Sequence, residues 1–240
     1  MAMNASDLQK KVTKSLKIIE KCFTPLDTAI LVGLSGGKDS LVTYDLCERV
    51  FGRGSVVPFN LFFLPDMQVT TEMLSYAIKR FEIKKILSYP DSVFFAYYNE
   101  GNYSWESTDR LSLPTITRGK IYPYIAKTTK INKIALGIKK NDNIRMKQQV
   151  DHNRLFGGAI LPVYDWSTSE ILMYMRLREI EIPKQYFAGF RGVDLNDDSL
   201  LYLHKNYPKD FALMESYFPF IGAVIKQYEY YNLKVKIHKI

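Results

Sequence analysis

Six consecutive residues, Ser35-Gly36-Gly37-Lys38-Asp39-Ser40, carry the groups that a phosphate-binding turn needs. They follow the apolar run Ala29-Ile30-Leu31-Val32 and precede a helical pattern that starts at Leu41. In such a strand–loop–helix unit, free backbone N–H groups and the positive end of the helix attract an anion. The glycines let the main chain approach closely because they have no Cβ. The lysine adds a positive charge, and Ser35 and Ser40 add hydroxyl donors.

The spelling of this loop excludes two common nucleotide-binding motifs. A Walker A loop needs a glycine five positions before the Gly-Lys pair, and that position is Val32. The chain also contains no G-x-G-x-x-G sequence. A plain glycine-rich turn with a chance lysine is the structural alternative.

A second polar cluster, residues 137–145, begins at the end of the apolar run 133–138. Two of its basic members, Lys139 and Arg145, would lie opposite the glycine loop and contact the far side of a bound polyphosphate. The structural alternative is an ordinary polar turn in which Asn141 and Asp142 cap a helix.

Apolar runs that alternate with helical patterns predict a doubly wound α/β fold with about five parallel strands. Ligands of such sheets bind beyond the carboxyl ends of the strands, where the glycine loop, Asp66 and Lys139 are expected. The predicted strands cover 28–34, 56–64, 83–87, 133–138 and 159–163. The predicted helices cover 6–23, the segment from the loop to Phe51, the segment from Thr70 or Thr71 to Phe81, and 119–129.

The last third of the chain has helical patterns. Ser167 and Asn196 are predicted N-caps, and Pro208 is predicted at a helix start. The predicted helices cover 168–180, 197–206 and 209–230.

Two segments leave alternatives open. Residues 89–118 predict a helix fragment and a long loop, whose aromatic side chains either stack on a base or pack the loop onto the core. In the tail from Tyr228 to Ile240, apolar residues alternate with basic ones, which is the period of an edge strand. Its lysines then either discourage aggregation or contact nucleic acid. The aromatic residues of the first segment are Phe94, Phe95, Tyr97, Tyr98, Tyr103 and Trp105.

Composition favours a protein that binds polyanions. The chain has 240 residues and a formal net charge of +8, which suits a nucleotide or, as an alternative, a nucleic acid. No apolar stretch has membrane-spanning length and no signal peptide is recognisable, so we expect a cytoplasmic protein without a membrane partner.

Cysteine and histidine usage bears on cofactors. The two cysteines, Cys22 and Cys47, do not form a C-x-x-C motif, and the three histidines are scattered. We therefore expect no disulfides, no zinc and no iron–sulfur cluster. Both cysteines fall on apolar helix faces, where buried structural thiols are favoured.

Together these motifs resemble a known family. The loop spelled SGGKDS resembles the PP-loop of the ATP pyrophosphatases, the adenine nucleotide alpha hydrolase superfamily, which cleave ATP between the α- and β-phosphates. The run Gly137–Arg145 and the stretch Leu161–Trp166 resemble the phosphoadenosine phosphosulfate (PAPS) reductase branch, in particular its phage and mobile-element members. Residues 183–186 and 207–211 are also similar to that branch.

The resemblance covers roughly residues 28–220, and together with the helical patterns it predicts three parts: an N-terminal helix (1–27), a PP-loop nucleotide-binding domain (28–165) and a helical C-terminal extension (166–240). It also implies roles for individual residues. The loop Ser35–Ser40, with Gly137, would bind the pyrophosphate end of ATP, and Lys38 would offset charge on the leaving oxygens. Asp39 would cap the helix or help to hold Mg²⁺.

The resemblance further implies that Lys139 and Arg145 contact the phosphates from the other side. The backbone of Phe62–Leu64 would border the adenosine together with Asp66, which stands where relatives place an acidic residue. A turn residue without this role is the alternative for Asp66. The implied catalytic residues are thus Lys38, Asp39, Lys139 and Arg145.

The chain departs from the reductases in one respect. Those enzymes attack the sulfonucleotide with a cysteine in the C-terminal tail, and residues 228–240 contain none. A lysine or tyrosine cannot replace a thiolate that must accept sulfur. The sequence therefore favours an enzyme that binds ATP and Mg²⁺ and transfers AMP to an unknown acceptor. The alternatives are a non-catalytic nucleotide-binding module with a protein partner, and a PAPS-binding protein whose thiol comes from another protein.

Overall fold

The computed structural model describes residues 5–24, 27–91, 120–142, 150, 155–156 and 158–237. The helices are α1 (Ala5–Lys21), α2 (Lys38–Phe51), α3 (Gln68–Arg80), α4 (Ile121–Thr129), α5 (Thr168–Leu177), α6 (Lys184–Phe187), α7 (Asp197–Asn206), α8 (Pro208–Tyr217) and α9 (Ile221–Ile237). The strands are β1 (Ile30–Gly33), β2 (Val56–Phe62), β3 (Leu87–Pro90), β4 (Ile134–Ala135), β5 (Leu155–Phe156) and β6 (Ala159–Ile160). A short 3₁₀ helix, Arg53–Ser55, precedes β2.

The strands form one sheet in the order β3-β2-β1-β4-β6-β5. Five of them are parallel, and the two-residue strand β5 pairs antiparallel with β6 at the edge. Strand β1 lies between β2 and β4, so the chain reverses its direction of travel across the sheet beside β1. Such a reversal opens a crevice at the carboxyl ends of the strands. The predicted doubly wound fold is confirmed.

Successive residues of β1 face opposite layers, as the pleat of a strand requires. Ile30 and Val32 belong to a core with residues of α1, α2, α3 and α5, whereas Leu31 belongs to a core with residues of α4. All three side chains are completely buried. Because β1 is buried on both faces, its sequence is a continuous apolar run.

A buried carboxylate joins α2 to α5. Asp45 of α2 accepts hydrogen bonds from the Tyr174 hydroxyl at 2.5 Å and from Arg178 at 3.1 and 3.2 Å. Burial, together with the charge of Asp45, raises the pKa of Tyr174. Because a paired buried charge is costly to disrupt, this network holds α2 in one orientation on the sheet.

Helix α1 packs against the turn that precedes α5. The Ser15 hydroxyl donates to the Pro162 carbonyl at 2.6 Å and accepts from the Trp166 indole at 3.0 Å. The Lys11 ammonium contacts the Glu170 carboxylate at 2.7 Å. Ser167 and Glu170 also form a capping box, which confirms the predicted cap of α5.

The C-terminal helices form their own core against the end of β2. Phe63, Leu64 and Met67 pack with α7, α8 and α9 through residues such as Phe211 and Phe218. None of the helices among the described residues is long and apolar enough to cross a membrane.

The predicted third strand was misplaced. The structure forms β3 at Leu87–Pro90, whereas residues 83–86 form the irregular connection between α3 and β3. Glu82 adopts a left-handed conformation with φ of 52°, and the Ile83 amide donates to the Ile78 carbonyl. The apolar side chain of Ile83 therefore packs against the core at the C-terminal end of α3, rather than in a strand. The other four parallel strands overlap the predictions but are shorter, and the antiparallel strand β5 was not predicted.

The predicted start of α3 was also wrong. The helix starts at Gln68 rather than at a Thr70 or Thr71 cap. The two oxygens of the Asp210 carboxylate each accept a 2.8 Å hydrogen bond, from the Gln68 and Val69 amides. The cap comes from α8, about 140 residues away, so no local pattern could indicate it.

Two features of the C-terminal prediction need correction. The single helix at 209–230 is two helices, because the chain breaks around the fully buried Phe218. The tail is not an edge strand as far as Ile237, since α9 continues to that residue. Ile221 and Ile225 are buried against α7 and α8, and this packing nucleates a helix that then extends along the tail. Residues 92–119, with the six aromatic residues singled out above, lie outside the described residues.

Candidate functional site

The glycine loop joins β1 to α2 as the sequence predicts. Gly36 has a φ of +76°, and a Cβ on it would lie 2.4 Å from the Met73 carbonyl oxygen. Only glycine avoids both the conformational strain and the clash with α3. Gly37 is the N-cap of α2, and no side-chain hydrogen bond caps that end among the described residues. The first amide groups of a 14-residue helix therefore face the loop.

The two serines of the loop bond mainly to each other. The Ser40 hydroxyl donates to the Gly37 carbonyl at 2.9 Å and lies 3.2 Å from both the amide and the hydroxyl of Ser35. Ser40 is buried whereas Ser35 is exposed. The hydrogen bonds of Ser40 therefore fix the shape of the loop. The exposed Ser35 remains accessible to a ligand.

Four charged side chains meet at the start of α2. The Asp39 carboxylate lies 2.6 Å from the Lys38 ammonium and 3.0 Å from the Lys139 ammonium. Lys139 also lies 3.5 Å from the Asp142 carboxylate, which accepts a 2.8 Å hydrogen bond from the Lys139 amide. Asp39 therefore bridges two lysines from different elements.

Lys139 is 5% exposed, which is unusual for a lysine. Burial favours the neutral amine, but the Asp39 and Asp142 carboxylates outweigh it, so the pKa of Lys139 lies above its usual value. The side chain therefore stays positively charged inside the site.

Gly137 allows the two halves of this cluster to meet. A Cβ at this position would lie 2.7 Å from the carbonyl carbon and oxygen of Asp39 and 2.8 Å from the Ser40 amide nitrogen. These are backbone atoms that cannot rotate away. The segment after β4 can therefore reach the first turn of α2 only with glycine at 137.

A cavity of about 820 Å³ opens above these residues at the carboxyl ends of the strands. Of the predicted site residues, the following line it: Ser35, Gly37, Lys38, Asp39, Ser40, Gly137 and Lys139. Gly36 lies in the same loop beneath it. The structure thus brings together residues from two segments about 100 positions apart.

Asp66 and the segment Phe62–Leu64, which were predicted to border the nucleoside, do not line this cavity. Asp66 is exposed and has a φ of 60°. Phe63 and Leu64 pack into the C-terminal core instead, which draws the turn away from the cavity. The structure places Asp66 in a turn outside the cavity wall, and its contact with a nucleoside stays a prediction. Arg145 lies outside the described residues.

Sequence reasoning missed several residues of the cavity. Asn60 and Leu61 of β2 take the place expected for Phe62–Leu64, and the Asn60 amide donates to the Leu34 carbonyl at 2.9 Å. A polar residue inside an apolar run was the available indication. Asp91, which follows β3, was missed because that strand was misplaced.

The C-terminal extension contributes a further wall. Pro183, Tyr186, Phe190 and Arg191 all line the cavity. The Lys38 ammonium lies 5.2 Å from the centre of the Tyr186 ring, a distance suited to a cation–π contact. No local pattern links residue 186 to the glycine loop.

The described residues contain no cluster of three or more histidine, cysteine, aspartate or glutamate side chains arranged for a metal ion. Asp39 and Asp142 do approach the same ammonium group. One or two carboxylates suffice for Mg²⁺ when substrate phosphates supply other ligands. The residues present are thus compatible with Mg²⁺ bound together with a polyphosphate.

Solved structures share the fold. An NH₃-dependent NAD synthetase from Campylobacter jejuni aligns with a TM-score of 0.50 and 16% identity over 90% of this chain and 96% of that one. An FMN adenylyltransferase from Candida glabrata, solved with FMN and the ATP analogue AMPCPP, aligns with a TM-score of 0.51 and 15% identity. That alignment covers 79% of this chain and 65% of the other. At such identities the likeness concerns the fold alone.

A comparison with curated proteins gave no match. The family comparison gave a match over most of the α/β unit and the start of the C-terminal extension, since residues 29–194 align with the phosphoadenosine phosphosulfate reductase domain. This range holds the glycine loop, Gly137, Lys139 and the cavity wall from Pro183 to Arg191. The chain belongs to the phosphoadenosine phosphosulfate reductase domain family.

Proposed function

We propose that this protein binds ATP with Mg²⁺, cleaves it between the α- and β-phosphates and transfers AMP to an acceptor. The observation that carries the proposal is the convergence of Lys38 and Lys139 on Asp39 at the N-terminus of α2. Two lysines, a helix N-terminus and a glycine loop at the edge of one cavity suit a ligand with several negative charges. Membership of a family named for a nucleotide substrate supports the same ligand class.

The charge arrangement suggests how the site responds to ATP. Without a ligand, Asp39 neutralises part of the charge of both lysines. A phosphate chain would compete with Asp39 for their ammonium groups. Mg²⁺, held by Asp39 and Asp142 with phosphate oxygens, would supply the positive charge that neutralises the leaving pyrophosphate. Asp39 would then be a ligand of the metal rather than a partner of the lysines.

The proposed reaction is one displacement at phosphorus. An oxygen or nitrogen atom of the acceptor forms a bond to the α-phosphorus, and the bond from that phosphorus to the α–β bridging oxygen breaks. The bridging oxygen leaves with the pyrophosphate, and the acceptor loses its proton to solvent. Lys38 and Lys139 stabilise the charge that grows on the leaving oxygens, and the loop amides orient the phosphate chain.

The cysteines of the chain argue against reduction of a sulfonucleotide by this chain alone. Neither Cys22 nor Cys47 lines the cavity. Cys47 is completely buried, and burial raises the pKa of its thiol. A nucleophilic thiol needs the opposite, an accessible sulfur and a lowered pKa. Adenylyl transfer needs no thiol, and the name of the FMN adenylyltransferase shows that a protein of this fold transfers an adenylyl group.

The test is to incubate the protein with α-labelled ATP, Mg²⁺ and candidate acceptors and to identify the products. We expect AMP or an adenylated acceptor together with pyrophosphate, and none from a Lys38→Ala variant. A Lys10→Ala variant is the matched control, because it removes the same charge at an exposed position of α1. Release of ADP and phosphate would contradict the proposal.

Binding measured on the same samples separates the alternatives. Tight ATP binding without turnover would favour the nucleotide-binding module. Protection against thermal unfolding by PAPS but not by ATP would favour the sulfonucleotide protein with a thiol supplied by a partner. A ligand at about a hundred times its Kd stabilises the fold by about 2.7 kcal/mol, so the comparison is well resolved.

A further inference from the structure

The described residues that line the cavity include three basic side chains, and two of these have carboxylate partners. The Lys38 and Lys139 ammonium groups contact Asp39 at 2.6 and 3.0 Å, and Lys139 also approaches Asp142. The third basic residue is Arg191, whose exposed side chain lines the same cavity. Within the described part of the chain, its guanidinium has neither an ion pair nor a hydrogen bond. Arg191 can therefore bind an anion without giving up a partner.

The backbone on either side of Arg191 is held in place. Phe190, before it, is 5% exposed, and its ring stacks on that of Tyr202 with centroids 4.5 Å apart. The carbonyl of Gly192, after it, accepts a 3.0 Å hydrogen bond from the buried Ser199 hydroxyl of α7. The segment that carries the guanidinium therefore loses little conformational freedom when a ligand binds.

Two contacts place this segment beside the glycine loop. The Lys38 ammonium lies 5.2 Å from the centre of the Tyr186 ring. Phe190 belongs to the buried cluster against which Met73 packs, and the Met73 carbonyl oxygen would lie 2.4 Å from a Cβ on Gly36. The C-terminal wall thus borders the loop. The inference rests on the proposed function in one respect, namely that the loop binds the pyrophosphate end of ATP.

We propose that Arg191 binds the β- and γ-phosphates of ATP and makes the site select ligands with a pyrophosphate group over nucleoside monophosphates. A guanidinium presents its donors in a planar fork that matches two phosphate oxygens. Lys38 and Lys139 must exchange Asp39 for phosphate, whereas Arg191 exchanges only water. The contact from Arg191 therefore adds directly to the affinity for the phosphate chain.

The test compares ATP with AMP by calorimetry on the full chain with Mg²⁺. An Arg191→Met variant should bind ATP about ten- to hundredfold more weakly, while its affinity for AMP changes by less than about threefold. Inorganic pyrophosphate contains the selected group alone, so its affinity should fall together with that of ATP. Thermal unfolding of the variant should stay close to that of the wild type, because an exposed side chain without such contacts has little to lose.

Arg176→Met is the matched control. It removes an exposed arginine from α5 that does not line the cavity, and it should leave the affinities for ATP, AMP and pyrophosphate unchanged.

The outcomes are distinct. Unchanged ATP affinity in Arg191→Met would overturn the inference while leaving the proposed function intact. An equal loss of affinity for AMP and ATP would also overturn it, because the guanidinium would then contact the part that the two nucleotides share. A loss for ATP and pyrophosphate alone would support it. If the wild-type protein binds neither ATP nor pyrophosphate, the proposed function fails and the inference fails with it.

Discussion

The Lys139 ammonium lies 3.0 Å from the Asp39 carboxylate, although the two residues are 100 positions apart in the chain. Their contact depends on the pairing of β1 with β4, which places the segment after β4 beside the first turn of α2. It also depends on Gly137, which lets the two backbones approach. The contact between these two side chains therefore depends on the fold and is part of the proposed phosphate site.

Replacement of Lys139 by methionine should weaken ATP binding by about one to two orders of magnitude, because a charge-assisted contact to a phosphate contributes about 1.5–3 kcal/mol. Thermal stability should fall only slightly, since Asp39 keeps its contact with Lys38. Calorimetry and thermal unfolding measure the two effects. Arg145→Ala, at a position predicted from sequence alone, should weaken binding by a similar factor. Unchanged ATP affinity in both variants would refute the basic clamp.

Replacement of Gly137 by alanine should disturb both stability and binding. The new Cβ would lie 2.7 Å from the Asp39 backbone, so the N-terminus of α2 must shift. We expect the free energy of unfolding to fall by about 1–3 kcal/mol, as for other overpacked sites, and ATP affinity to fall with it. Chemical denaturation and calorimetry test this. Gly54→Ala is the control, because a Cβ there meets nothing within 4 Å. Equal stability of the two variants would contradict the prediction.

Removal of the distant cap of α3 should destabilise the protein. An Asp210→Ala variant loses hydrogen bonds to the Gln68 and Val69 amides, which should cost about 1–2 kcal/mol in the free energy of unfolding. Asp197→Ala removes an exposed carboxylate from the first turn of α7 and should cost much less. Denaturant titrations of both variants test whether the C-terminal extension stabilises α3. A cost no larger than that of the control would show that it does not.

The link between α1 and α5 should depend on pH. Burial acts to raise the pKa of Glu170, but the bonds from Lys11 and Ser167 outweigh it, so the pKa lies below the usual value of 4.5. The ionised group therefore stabilises the fold above that pH, and the contribution disappears as the pH falls through the lowered pKa.

A Glu170→Gln variant keeps the capping acceptor but loses the charge. At pH 7 it should be less stable than the wild type by about 1 kcal/mol. The difference in the free energy of unfolding should shrink as the pH is lowered below 4.5. Unfolding curves of both proteins between neutral and acid pH provide the measurement, and a difference that does not vary with pH would contradict the assignment.

Local sequence patterns were sufficient to predict much of the fold. The glycine loop, the doubly wound sheet and the caps Ser167 and Asn196 were all predicted from neighbouring residues, and the structure confirms them. These features depend on interactions within a few positions of the chain, such as hydrophobic period, glycine conformation and capping hydrogen bonds. The loop was identifiable because strand, glycines and helix are contiguous.

Other features depended on contacts between distant segments. Strand β3 and the tail were misjudged because short apolar runs do not distinguish a strand from a helix end that packs on the core. Asp66 lies outside the cavity wall because Phe63 and Leu64 beside it pack into the C-terminal core.

The sequence by itself determined that a glycine loop stands at the head of a helix in a parallel α/β fold, since that motif is local. The tertiary structure alone decided which side chains complete the cavity: Asp91 after β3, Tyr186 and Arg191 from the C-terminal extension, and Lys139 in contact with Asp39. The physical reason is that strand order and helix packing set these distances, and neither is encoded in the spacing of residues along the chain.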